Sequence, residues 1–101
     1  MLYLPLVLLK RADFRIVRRV IVKLNNAEME ALEQYALGPH GQDNFYSFMA
    51  DVWARIDHDT GEVDMDRGDF ERIAAFERGV YREPIAKVLT RPVAQAWSSL
   101  D

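Results

Sequence analysis

Between Arg18 and Ala36 the hydrophobic period of the chain changes, and that change limits what it can fold into. Up to Leu24 apolar and polar residues alternate; beyond Asn25 and Asn26 the apolar residues return at helical spacing. Alternation puts side chains on opposite faces of a strand, whereas the wider spacing gathers them on one stripe of a helix. A strand therefore runs straight into a helix. Asn25 or Asn26 stands at the junction, where its side chain can accept from an orphan amide of the first turn.

The alternation extends back to Phe14. Phe14, Ile16, Val20, Val22 and Leu24 share one face, with Arg18 as the exception, and Arg15, Val17, Arg19, Ile21 and Lys23 share the other. That is a half-buried strand with a basic outer side. Residues 2–9 are apolar, and a turn over 10–13 would fold them back as a hairpin partner that Pro5 keeps at an edge. The alternative is that residues 1–13 extend the natural start. The apolar run falls short of the roughly 20 residues that span a bilayer, and it lacks the flanks of a signal peptide.

Downstream the pattern is helical. The first helix buries Met29, Leu32, Tyr35 and Ala36, with Glu28 and Glu30 near its positive end, and Gly38-Pro39 stops it. Asp43 or Asn44 caps a second, whose Phe45, Phe48, Met49, Val52, Trp53 and Ile56 form the cleanest amphipathic stripe in the chain. Residues 57–61 make a turn with Gly61 suited to a left-handed conformation. A short extended piece at 62–65 follows. Asp66 and Asp69 then form a box-like cap for a third helix carrying Phe70, Ile73, Ala74 and Phe76, ended by Gly79. Pro84 opens a fourth with Ile85, Val88 and Leu89. Residues 90–92 break it, and a last short turn holds Val93 and Trp97. No repeat, low-complexity segment or linker divides the chain. The expected fold is a single α+β domain over 1–101, mostly helical: an N-terminal strand or hairpin on three to four helices, with the 43–57 helix at the centre.

Charge is unevenly spread. The net charge is −3, yet residues 1–24 carry six Lys and Arg against Asp13, while residues 25–80 carry thirteen acids against four arginines. This split either matches within the fold or a dimer, or offers an anionic partner the basic front end. The chain has no cysteine, which removes disulfides, thiolate metal sites and a cysteine nucleophile and fits a cytoplasmic setting.

Catalytic and metal patterns fail on spacing. Asp57-x-Asp59-x-Gly61 looks like a calcium loop, but such a loop needs glycine at its sixth position and glutamate at its twelfth. Here the glycine comes one place early, and Gly68 stands where the glutamate belongs. His40 and His58 lie in separate loops with no further ligands at metal spacing. Ser47, Ser98 and Ser99 lack a nucleophile elbow, and there is no Gly-rich phosphate loop. The expectation is a non-enzymatic protein without cofactor, metal or membrane partner. Tyr46 and Tyr81 fall off the apolar stripes and are candidates for an exposed contact surface.

Two resemblances add to this. Residues 14–56 resemble the opening of ribbon-helix-helix DNA-binding proteins: Arg19, Ile21 and Lys23 match the outward strand positions and residues 38–41 the turn between helices. That implies a dimer whose paired strands enter the major groove. Phe45-x-Ser47-Phe48, Asp57-x-x-Thr60-Gly61-x-Val63 and Asp69-Phe70-Glu71-Arg72-Ile73 look like small proteins of phages and bacterial mobile elements. This second likeness implies a context of accessory factors that bind host proteins, inhibitors of defence systems among them, and it assigns no residues.

The leading functional expectation is a small interaction protein that binds a host macromolecule, most naturally a protein. Candidate contact residues are Arg15, Arg19 and Lys23 on the basic strand, Asp57, Asp59, Glu62 and Asp64 in the acidic segment, and Tyr46 and Tyr81. The alternative is a homodimeric ribbon-helix-helix-like DNA-binding regulator using Arg19, Ile21 and Lys23.

Overall fold

The computed structural model describes residues 19–38 and 43–99. Along the chain run β1 (Arg19–Lys23), α1 (Asn26–Leu37), α2 (Asn44–Arg55), β2 (Glu62–Asp66), α3 (Arg67–Arg78), α4 (Arg82–Val88) and α5 (Thr90–Ser98). The α+β, mostly helical class read from the sequence is the one found. The strand runs into the helix at the asparagines: Asn25 is the N-cap, its Oδ1 accepting from Glu28 N at 2.8 Å.

The mate of β1 is β2, antiparallel, with Arg19 opposite Asp66, Ile21 opposite Asp64 and Lys23 opposite Glu62. The expected short extended piece after Gly61 is thus the strand partner, brought back by α1 and α2. The suggested hairpin partner at 2–9, and the strand residues before Arg19, lie outside the described residues. Val20, Val22 and Leu24 are buried while Arg19, Ile21 and Lys23 are exposed, as the alternation requires. Gly61 closes the connection with φ +79°, and a Cβ there would stand 2.3 Å from the Leu24 carbonyl oxygen. That carbonyl belongs to the residue whose N–H donates to Gly61 O at 2.9 Å, so the tight pairing demands glycine.

Although no repeat is visible in the sequence, one unit of architecture occurs twice. A strand leads into a capping box, a twelve-residue helix and a glycine: Asn25, Glu28, α1 and Gly38 in the first, Asp66, Asp69, α3 and Gly79 in the second. A single offset carries every member of one set onto the other. In both, the N-cap side chain accepts from the backbone of the third helical residue, whose carboxylate accepts from the N-cap backbone in return.

One core joins the two units. Phe45, Phe48, Met49 and Val52 of α2 are buried with Val22, Leu32, Met65, Phe70, Ile73, Ile85, Leu89 and Val93. α2 holds the inner place expected of its stripe, although Trp53 is half-buried and lies edge-on to His58 with centroids 4.4 Å apart. Met29, Tyr35 and Phe76 are also half-buried and pack on the core margin.

The C-terminal part differs from expectation. The described residues hold five helices, because residues 90–92 begin a helix where only a break and a turn were expected. Pro84 and Pro92 each occupy the third position of their helix, α4 and α5. The first-turn amides have no intrahelical partner, so proline loses nothing there. Between the helices Leu89 keeps helical backbone, with Leu89 N donating to Ile85 O at 2.7 Å and Val93 N to Leu89 O at 3.0 Å.

Candidate interaction surface

The outer face of the β1–β2 ribbon brings together residues that the sequence distributes over two candidate surfaces. β1 presents Arg19, Ile21 and Lys23; β2 presents Glu62, Asp64 and Asp66. Basic and acidic rows lie side by side, and Arg19 Nε reaches Asp64 Oδ2 at 2.6 Å. Among the described residues, part of the charge split is therefore matched inside the fold. At the middle of the basic row Ile21 is 56% exposed. Burial of that side chain is what a partner could gain here, framed by charges of both signs.

Both flanks of the ribbon are held by arginines. Arg91 of α5 grips the Glu28 carboxylate with Nε and Nη2, each at 2.7 Å, and Nη2 also donates to the Lys23 carbonyl at 3.2 Å. Arg55 of α2 contacts both Asp69 oxygens at 3.0 and 3.1 Å and donates to the Asp64 carbonyl at 2.9 Å. Each arginine thus serves the buried carboxylate of a capping box and a carbonyl two residues before that box's cap. They work crosswise, since Arg55, which follows the first unit in the chain, serves the second, and Arg91, which follows the second, serves the first. Closing the strand flanks this way blunts the ribbon as a template for further strands.

The electrostatics follow from these contacts. Hydrogen bonding to Glu28 raises the Arg91 pKa above its ordinary value, against desolvation. For Arg55, burial pulls the pKa down, but hydrogen bonding and attraction to Asp69, helped by Asp51 and Asp66, carry it above the ordinary value. The Asp66 carboxyl is held below the ordinary 3.8, first by the Asp69 N–H and further by Arg19 and Arg55.

The remaining candidate residues are scattered. Asp57 and Asp59 are exposed and shape the turn, with Asp59 N donating to Asp57 Oδ1 at 2.9 Å and Gly61 N to Asp57 O at 2.7 Å. Tyr46 and Tyr81 are half-buried, not openly exposed: Tyr81 stacks on Phe45 with centroids 4.3 Å apart, and Tyr46 meets both rings edge-on. The Tyr81 hydroxyl donates to Asp43, whose other oxygen caps α2 through Phe45 N at 2.8 Å. Arg15 and His40 lie outside the described residues. Among the described residues no three His, Asp or Glu side chains gather as metal ligands.

The sequence reading missed the arginine contacts. The Asp66-x-x-Asp69 box is legible in the sequence, while Asn25 is one of two cap candidates and Glu28 only an acid near the helix head; nothing local tells that both carboxylates are buried or that Arg55 and Arg91 meet them. Comparison with protein-family models, curated proteins and solved structures returns no match to this chain. No described helix is long and apolar enough to cross a membrane.

Proposed function

We propose that the chain is a non-enzymatic interaction protein of the cytoplasm that acts by occupying a protein partner through the outer face of its ribbon. The observation that carries this reading is Ile21, an exposed aliphatic side chain centred among Arg19, Lys23, Glu62 and Asp64. An apolar centre with a rim of both signs suits another protein surface, where mixed charge sets orientation and the apolar contact supplies affinity. The likeness of residues 41–92 to phage and mobile-element proteins favours a host protein as that partner, with inhibition of a defence system as one form the effect would take.

A second reading is a ribbon-helix-helix-like DNA binder. Arg19 and Lys23 pointing outward favour it, but β1 already pairs with β2 of its own chain, where such a dimer would pair it with the same strand of a second copy. Glu62, Asp64 and Asp66 on the same face weigh against phosphate contact, as does Asp43 at the start of α2, where such proteins meet the backbone.

One experiment separates them. A photo-crosslinking amino acid placed at Ile21 should yield a discrete protein adduct in a bacterial host, and the same group at the distant, 87% exposed Val80 should not. Absence of an adduct specific to position 21 sinks the first reading. A duplex DNA shift that collapses with salt and disappears in Arg19→Glu/Lys23→Glu would establish the second.

A further inference from the structure

A second surface, between α2 and α3, has a different chemistry. α2 turns Asn44, Ser47, Phe48 and Asp51 toward a cleft of about 520 Å³, and α3 closes the other side with Arg72, Ala75 and Phe76. The floor is the Phe48–Phe76 ring pair, with centroids 5.7 Å apart. The Arg72 guanidinium lies over the Phe48 ring, 5.7 Å from its centroid.

Asp51 and Arg72 are the charges lining the cleft, with Glu71 and Asp69 outside it on α3, and they are unevenly used. Asp51 is engaged by Arg55 at 3.2 Å, and Glu71, beside Arg72 in the chain, by Arg67 at 3.0 Å. Asp69 is held by Arg55 as well. Arg72 makes no ion pair among the described residues. An exposed guanidinium kept in place by an aromatic face, with both rows of fork donors open, suits a carboxylate. The half-buried Phe76 ring and the exposed Ala75 suit an apolar group attached to that carboxylate, and Asn44 and Ser47 can hydrogen-bond a peptide backbone passing between the helices.

We infer that the α2–α3 cleft binds an acidic peptide segment of a protein partner, an Asp or Glu carboxylate pairing with Arg72 and an adjacent aromatic or aliphatic side chain resting on Phe76 and Ala75. This site is separate from the ribbon face, and either can fail without the other.

The test uses blocked dipeptides as probes, followed by amide and guanidinium NMR shifts of the full chain. N-acetyl-Glu-Phe-amide should cause saturable shifts at Asn44, Ser47, Ala75 and Arg72 Nε in the millimolar range. N-acetyl-Gln-Phe-amide and N-acetyl-Lys-Phe-amide should bind at least about tenfold more weakly, as expected for loss of one charge-assisted contact. Arg72→Gln, an exposed change that leaves the core intact, should abolish the preference for Glu. The inference is overturned if the three dipeptides bind alike, if sodium acetate binds as well as the Glu dipeptide, or if the preference survives Arg72→Gln. It is also overturned if the same amides shift with protein concentration alone, which would make a second copy the occupant.

Discussion

Arg91 holds both carboxylate oxygens of Glu28, Nε on Oε2 and Nη2 on Oε1, each at 2.7 Å, across 63 positions of sequence. The contact fastens the last helix to the head of the first. The Glu28 side chain is 9% exposed and that of Arg91 48%, so the pair sits at the border of the core. Arg91→Ala leaves the carboxylate in a poorly hydrated place without its cation. We expect a loss of about 1–3 kcal/mol in urea unfolding, with partial recovery in Arg91→Ala/Glu28→Gln, where no charge is stranded. The exposed pair Arg19–Asp64 is the contrast: Arg19→Ala should cost less than about 1 kcal/mol, and less still at high salt.

Gly61 combines positive φ with close backbone approach. Gly61→Ala should cost about 2–4 kcal/mol, since the strained conformation and the contact with the Leu24 carbonyl both act against any side chain. A thermal melt that moves by only a degree or two would show that the ribbon junction relaxes freely.

Asp66 sets an acid limit. Its folded pKa lies below its ordinary value of 3.8, so its contribution is present above that value and disappears as pH falls through the lower folded value. In Asp66→Asn the cap acceptor remains while the titrating charge is gone. Unfolding free energy measured between neutrality and strong acid should therefore fall less steeply in the variant.

Tyr81 sets an alkaline one. Hydrogen bonding to Asp43, followed by desolvation and the charge of Asp43, pushes the phenol up from 10.0 to about 12. A raised folded pKa means the contribution is whole below the unfolded value and is lost as pH rises through about 12. Ultraviolet titration of the phenolate in Asp43→Asn should show Tyr81 ionising at lower pH than in the parent chain.

Phe45→Ala should cost about 3–5 kcal/mol, because Phe45 is fully buried and meets Tyr35, Phe76 and Tyr81 ring to ring. Calorimetry would register it as a fall in melting temperature large enough to threaten folding.

Much of the fold was legible because period and capping are local. Val20, Val22 and Leu24 went inside and Arg19, Ile21 and Lys23 outside as alternation requires, and the α2 stripe from Phe45 to Val52 is the heart of the core. What stayed hidden is what local signals do not carry. The pairing of β1 with residues 62–66 depends on how two helices fold back between them. Pro92 marks a helix start as readily as a stop, and only its place in the first turn distinguishes these. Tyr46 and Tyr81, off their stripes, were drawn into the core margin by Phe45. The ribbon residues form two separate surfaces in the sequence, and Arg72 enters there only within the Asp69–Ile73 likeness, because an arginine on an exposed helix face has no distinguishing neighbours in the chain.

The crosswise arginines bear on how this molecule comes apart. Arg55 completes the start of α3 and Arg91 the start of α1, so each half supplies the counter-charge that the other half's helix requires. Separated, each would keep a carboxylate at a helix head without its cation and a strand without its mate. Neither has an independent reason to stay folded, and the chain should unfold in one all-or-none transition with no half-structured intermediate.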